Sequence, residues 1–483
     1  MNTITDLLDL EDSDITISDI LIEGNKKYLT LETPPSPHFC PSCGFRMYSK
    51  GINKRTISHP VLQDGFELIL LLKQRRWRCT NQDCNYTVND SFRFVNKNRR
   101  VTNATDMMIV MEFRNLDTTA AAIARKFHTS DTHVLDVFDK YVRLDRLKLP
   151  NIISIDEVFL DMDKYCKYAL VIQDFYTGDP IDVLISRRTN VTEPYFASIP
   201  PEERNAVTYL ISDMYKPYQQ MVERYFPNAA PVVDAFHVIQ WMVHQIDNYI
   251  RSQIKHYKQR DREEYIRRHP YEDISSVTIP VSDEVYMLQK YRWIVLSNRS
   301  NITYHEDLRI DPRFHVLMNT YDYEDKLFRI SPRLKILREL KELYITFNDR
   351  NAGNPVQAAA ELDDLIVTYQ TCNDSIFTEF SGLLSRYKEP IINSFIMVEK
   401  HGNGELYTSR LSNGPIESLN RKVKDLKRLG RGFRNFEHFR NRFLYATRTI
   451  PVINGISDSH QVQYFDNNDD DYYCYEEDSN ENL

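Results

Sequence analysis

Four of the seven cysteines in this 483-residue chain stand as two close pairs, Cys40-x2-Cys43 and Cys79-x4-Cys84, and they limit what the first hundred residues can become. An odd number of cysteines suits a purely intrachain disulfide framework poorly, whereas four thiolates in two knuckles match a tetrahedral zinc site. The strand-like run FELILLLKQRRWRC leads into the second knuckle. Four sulfur ligands leave no open position for a substrate, so such a zinc is structural. Residues 37–100 are therefore expected to form a zinc ribbon. Cys166, Cys372 and Cys474 are scattered and need no role beyond packing or surface.

Charge is distributed unevenly. The net charge is −8, but residues 1–36 contribute −6 and residues 466–483 contribute −8, leaving +6 on residues 37–465. That excess suits a polyanionic partner better than the whole-chain figure does. The segment 1–36 reads as an acidic N-terminal extension, and 451–483 as an acidic, disordered tail. Within the ribbon, Arg75, Arg76 and Arg78 flank Trp77, which is either a solvated basic surface or a contact with phosphates. No run of eighteen apolar residues and no signal-peptide pattern occurs. A cytoplasmic protein without a membrane partner is expected.

Residues 101–148 parse as three short helices, the second capped by Asp117 or Thr118 and the third by Ser130 or Asp131. The apolar spacing of Ala121, Ile123, Ala124 and Phe127, then Val134, Val137 and Phe138, fits either a helix-turn-helix DNA-binding domain or a plain three-helix linker. From residue 149 the texture changes. NIISIDEVFL, KYALVIQDFY and PIDVLISRR read as strands, with TGDP as a turn. A strand ending at Asp213, a helix to about Phe226, a short strand to Asp234 and another helix follow, which predicts a mixed α/β sheet. Residues 241–405 are expected to be a mostly helical insertion.

Asp156 follows the apolar run IISI and Asp213 follows YLIS. Strand ends of open α/β sheets gather ligands, and two carboxylates meeting there call for a divalent cation such as Mg2+. Taken singly, each aspartate is equally a turn or cap residue. The stretch LSNGPIESLNRKVKDLKRLGRGFRNF, residues 411–436, predicts a helix docked through Ile416, Leu419, Val423 and Leu426. Glu417 lies off that stripe beside Asn420, Arg421, Lys424 and Arg428, with Arg431 and Arg434 farther on. By itself it reads as a surface ion pair with Arg421; with Asp156 and Asp213 it reads as a third metal ligand.

The ordered motifs SIDEVF, ISDMYKPY, VVDAFHV and SNGPIESLNRKVKDLKRLGRGFRNFEHFRNRF resemble bacterial insertion-sequence transposases of the ISL3 type, and the resemblance runs from about residue 37 to 446. It implies an α/β ribonuclease-H-like catalytic core of the DDE class with a helical insertion, in the parts 149–240 and 406–450, behind a zinc ribbon and a helix-turn-helix. It further implies that Asp156, Asp213 and Glu417 hold two Mg2+ or Mn2+ ions for phosphodiester cleavage and strand transfer at the terminal inverted repeats. Double-stranded DNA is then the partner of Arg75, Arg76, Arg78, Asn420, Arg421, Lys424, Arg428, Arg431 and Arg434, and a homodimer or higher oligomer forms on it, associated with the nucleoid. Asp234 and His237 are either a helix cap and a packed histidine or supports of the metal shell. Trp293 is either a core residue or a stacking platform for an exposed base. A DNA-binding regulator with an idle core and a nuclease without strand transfer remain alternatives.

Overall fold

The computed structural model describes residues 8, 10, 12, 14–36, 38–60, 67–272, 277–402, 405–430 and 432–451. Arg431, Cys474 and the acidic tail beyond residue 451 therefore lie outside the described residues. The chain divides into two compact units. One comprises Met1–Leu147, Phe159–Lys167 and Arg421–Leu483; the other comprises Lys148–Val158 and Tyr168–Asn420.

The first unit opens with β1 (Thr16–Glu23), β2 (Lys26–Glu32), β3 (Met47–His59), β4 (Glu67–Cys79) and β5 (Thr87–Asn89). They form one sheet ordered β1-β2-β4-β3, with β5 on β4. The acidic extension is thus not separate from the ribbon: β2 runs parallel to β4 from Lys26 opposite Glu67 to Glu32 opposite Lys73. The alternating apolar residues Tyr28-Leu29-Thr30-Leu31 explain this, because period two turns Leu29 and Leu31 into one core with Ile57, Leu70, Leu72 and Phe94. Farther along β4 the buried residues change parity to Trp77 and Cys79, which join Cys40 and Met47 in a second cluster. One strand thereby serves two cores from opposite faces.

Three helices come next, α1 (Asn103–Glu112), α2 (Ala120–Lys126) and α3 (Asp131–Tyr141). Ser130 caps α3, as the sequence allows. The cap of α2 is Thr119, not Asp117 or Thr118, because the Asp117 N–H donates to the Asn115 side chain and keeps the turn open two residues longer.

In the second unit, β6 (Ile152–Phe159), β7 (Tyr168–Asp174) and β8 (Pro180–Leu184) lead to α4 (Thr189–Ser198) and α5 (Pro201–Ala206). Next come β9 (Tyr209–Ser212), α6 (Lys216–Tyr225), β10 (Ala230–Val233) and α7 (Ala235–Arg268). The sheet order is β10-β9-β6-β7-β8. β7 and β8 are antiparallel, turned by Gly178 at φ +76, whereas β9 runs parallel to both β6 and β10. Near-continuous burial along β7 and β8 is what covering both faces of a sheet demands.

The insertion continues with α8 (Asp283–Lys290), α9 (Trp293–Leu296), the short pair β11 (Arg309–Ile310) and β12 (Leu317–Met318), α10 (Thr320–Ile330), α11 (Pro332–Arg350), α12 (Pro355–Thr371), α13 (Ser375–Arg386) and α14 (Lys388–Asn393). Val238, Met242, Ile246 and Ile250 form the inner stripe of α7 and share a core with Leu334, Leu337, Tyr344, Phe377 and Phe380. The hairpin β13 (Met397–Gly402) and β14 (Glu405–Arg410) then precedes α15 (Gly414–Leu429) and α16 (Phe436–Thr447). This hairpin crosses the expected boundary at residue 405.

Residues from Arg421 onward, the last helix among them, group with the first unit. Buried Arg442 of α16 donates to the carbonyls of Phe113, Asn115, Leu116 and Thr118 at 2.6, 2.7, 3.2 and 3.3 Å. Arg114 reciprocates on the carbonyls of Tyr445 and Arg448. Each arginine satisfies carbonyls at or just beyond the C-terminal end of a helix, where cations are favoured.

Candidate active site and zinc site

Cys40 and Cys43 sit in a tight knuckle in which the Gly44 N–H donates to the Cys40 carbonyl at 2.8 Å, Gly44 adopting φ +74. Cys79 ends β4, and the Asn81 N–H donates to its sulfur at 3.4 Å. All four are thiols rather than disulfides. Cys40 Sγ lies 3.7 Å from Cys84 Sγ, and Cys43 Sγ lies 3.4 Å from Cys79 Sγ. A tetrahedron of sulfurs around zinc has edges of about 3.8 Å, so the donor set fits the ion closely. This four-cysteine cluster supports a structural zinc. Trp77 packs beside it. It is 6% exposed, stacks on His38 at 4.4 Å and donates to Asp90 Oδ1 at 2.6 Å. Arg76 is exposed and Arg75 half-buried, while half-buried Arg78 reaches Asn85.

The carboxylates of the second unit are brought together by sheet register. β6 and β9 pair Ile152 with Tyr209, Ile153 with Leu210 and Ser154 with Ile211. Carried two residues further, the same register sets Asp156 beside Asp213. Asp156 is not at a strand end, because β6 continues to Phe159; its neighbour β9 stops at Ser212 and leaves this stretch of β6 open on that side. Asp213 is fixed in a turn by the Tyr215 N–H on its Oδ1 at 3.0 Å.

The third element is α15, whose buried stripe is Ile416, Leu419, Val423 and Leu426 as expected. Asn420, expected among the DNA contacts, is instead 7% exposed and donates to Asp156 Oδ2 at 2.8 Å and to the Glu157 carbonyl at 3.3 Å. One turn earlier stands Glu417. Its carboxylate, one oxygen of Asp234 and one ring nitrogen of His237 all lie within 4.8 Å of one another. Asp156 and Asp213 are not in that closest group.

Electrostatics at this place call for a cation. Burial pushes the Asp156 carboxyl up to about 6; Asp213 and Glu417 add to the rise, while His237 and the Glu157 N–H oppose it. Burial raises Asp213 as well. The nearby cationic side chain Arg187 is already engaged, paired with Glu157 and lying over the rings of Tyr168 and Tyr215 at 4.8 and 5.0 Å. Glu157 also accepts from the Tyr218 hydroxyl at 2.7 Å, and burial pushes it up to about 7 against the pull of Arg187. Buried hard oxygen donors, Asp156 raised by its two carboxylate neighbours among them, are a fitting set for a divalent ion.

Of the remaining expected residues, Arg421, Lys424, Arg428 and Arg434 are exposed. Trp293 is 42% exposed and so is not the core residue that its apolar run WIVL suggests, since the buried face of α9 is Ile294 and Val295. Sequence reasoning missed the link between Asn420 and Asp156; the only local signal was the i+3 spacing from Glu417.

Comparison with known proteins decides the family. A profile described as "Transposase", that of the ISL3 DDE type, matches residues 153–443. The chain belongs to the ISL3 family of DDE transposases. A second profile, described as the zinc-finger of transposase IS204/IS1001/IS1096/IS1165, matches residues 36–84. The chain is also 20% identical over 415 residues to the "Transposase for insertion sequence element IS1001" of Bordetella parapertussis, covering 83% of this chain and 86% of that one. A DDE transposase domain makes this a DNA phosphoryl-transfer enzyme. Among the described residues no helix is long and apolar enough to cross a membrane.

Proposed function

We propose that this chain is the transposase of an insertion sequence, binding the element's terminal inverted repeats and cutting and rejoining DNA at Asp156, Asp213 and Glu417. The observation that carries the reading is the β6–β9 register, which brings Asp156 and Asp213 together while Asn420 ties the helix of Glu417 to Asp156. The sheet order, with β7 antiparallel to β8 and β9 and β10 parallel to β6, supports a ribonuclease-H-like core from residue 149, interrupted by a helical insertion.

In this reading the three carboxylates hold two Mg2+ or Mn2+ ions. The chemistry supplied by such a pair is stabilisation of the attacking and leaving oxygens of an in-line displacement. Asn420 keeps Oδ2 of Asp156 engaged and would thereby orient the carboxylate that would hold an ion. Beside Asp156, Glu157 is held by Arg187 and by the Tyr218 hydroxyl. The ribbon and the three helices α1–α3, as a helix-turn-helix, read the ends, with Arg75, Arg76 and Arg78 on phosphates. Exposed Arg421, Lys424, Arg428 and Arg434 hold the DNA backbone. Two ends must be joined in one event, so the working form is a homodimer or larger assembly on DNA at the nucleoid.

Asp213→Ala tests this. Binding to a terminal-repeat duplex should persist in a mobility-shift assay, while Mg2+-dependent cleavage of that duplex and joining of a pre-cut end to target DNA both disappear. Cleavage retained by the variant sinks the site assignment; cleavage without joining in the unsubstituted protein reduces it to a nuclease.

A further inference from the structure

Helix α7 runs for 34 residues, about 51 Å of axis, yet its fully buried stripe of Val238, Met242, Ile246 and Ile250 stops halfway. The second half reads RSQIKHYKQRDREEYIRR, residues 251–268. It is nonetheless fixed to the insertion. Arg260 pairs with Glu284 at 3.1 Å, and the Ser282 N–H donates to Asp261 at 2.8 Å, both at the start of α8.

The helix carries seven Arg/Lys and four Asp/Glu, and the two signs are used differently. Every acid has a partner: Asp247 pairs with Arg251 and Arg292 at 2.7 and 3.2 Å, Asp261 with Arg260 at 3.1 Å, Glu264 with Arg268, and Glu263 accepts from the Gln259 amide at 3.0 Å. Lys255, Lys258 and Arg262 are exposed and make no ion pair among the described residues. With Arg251 they stand at i, i+4, i+7 and i+11, a stripe about 16 Å long on the side of the helix turned away from the core stripe. Like charges three and four apart destabilise a helix, and a face that merely meets water ordinarily alternates in sign. Here three such pairs follow one another, and Asp247 offsets only the first. No aromatic residue shares the stripe, which suits phosphates rather than stacked bases.

We infer that Arg251, Lys255, Lys258 and Arg262 form an additional DNA-binding surface, on the helical insertion, that takes the phosphate backbone of a duplex whatever its sequence. A duplex presents one phosphate per strand every 3.4 Å or so, on the order of the spacing needed for the stripe to meet several at once. Because the stripe reads no base edge, it adds affinity and salt sensitivity without sequence preference. The inference rests on the reading that duplex DNA is the substrate, and places a contact on it outside the ribbon and α15.

The test uses the full chain with zinc in its ribbon and a long random-sequence DNA duplex, with affinity read by fluorescence anisotropy over a salt series. Lys255→Gln/Lys258→Gln/Arg262→Gln should make the slope of log affinity against log salt shallower by about 2 to 3, the value for three lost phosphate contacts, and weaken binding at least about tenfold at low salt. Arg251 is left in place because Asp247 holds it. The control Arg267→Gln/Arg329→Gln/Lys335→Gln removes the same charge from exposed positions off the stripe and should change the slope by less than about 1. The melting curve of the stripe variant should match that of the unsubstituted protein. An unchanged slope in the stripe variant, or an equal change in the control, overturns the inference and leaves the proposed function standing. If the unsubstituted protein binds no duplex even at low salt, both fall.

Discussion

Asn420 shows how one side chain changes meaning between sequence and structure. On a helical wheel it shares a face with Arg421 and Lys424 and reads as a DNA contact. Its amide instead lies against Asp156, and its own Oδ1 is buried and unpaired among the described residues. A residue that orients a metal ligand typically contributes about 10- to 100-fold in activity or metal affinity. Asn420→Ala should therefore lower Mg2+-dependent cleavage at saturating DNA by about 10- to 100-fold. The apparent affinity for the terminal-repeat duplex should stay the same. The opposite split, weaker binding with full cleavage once DNA saturates, returns Asn420 to the DNA interface.

At the scale of elements, the exchange between Arg442 and Arg114 is what fastens α16 to α1. Arg442 is 2% exposed and lies over the Phe113 ring at 4.9 Å, so its loss leaves the buried Phe113 carbonyl, and the half-buried ones of the following turn, without their donor. Arg442→Met keeps the bulk and removes the donors, and should cost about 3 kcal/mol on the measure of buried hydrogen bonds from charged groups. The expected readout is a lower thermal midpoint with new proteolytic cleavage near residues 430–450, and an unchanged melting curve sinks the account. Local signals were legible beforehand: the strands from β6 through β10 followed from alternating or continuous apolar runs, and Ser130 from capping chemistry. The hairpin was missed, although His401-Gly402-Asn403-Gly404 separates two alternating segments in the sequence. What could not be read was nonlocal. Arg442 looks like one more base in a basic run, β1 and β2 hide in an acidic segment, and the approach of Asp156 to Asp213 depends on register between strands more than fifty residues apart.

For the whole molecule, the separate cores matter most. The apolar cluster of the insertion, drawn from α7 to α14, lies entirely within the second unit, whereas the cysteine knuckles at one end of the ribbon sheet have a cluster of little more than Cys40, Met47, Trp77 and Cys79, apart from the larger core around Leu31, Ile57 and Leu70. A cluster that small cannot hold the knuckles by burial alone, so zinc must contribute much of the free energy that folds that end of the sheet. The second unit's cluster needs no such help. Losing zinc should consequently remove one function and leave another. In the variant Cys79→Ser with Cys84→Ser, metal analysis should find the zinc, about one per chain in the unsubstituted protein, gone. Selectivity for the terminal repeat over random duplex should fall toward unity, because the ribbon is the part proposed to recognise ends. Slow Mg2+-dependent nicking of random DNA should continue, along with the unfolding transition of the helical second unit. If nicking and that transition vanish together with the zinc, the two units fold as one, and the ribbon acts as a structural keystone rather than an independent reader of DNA.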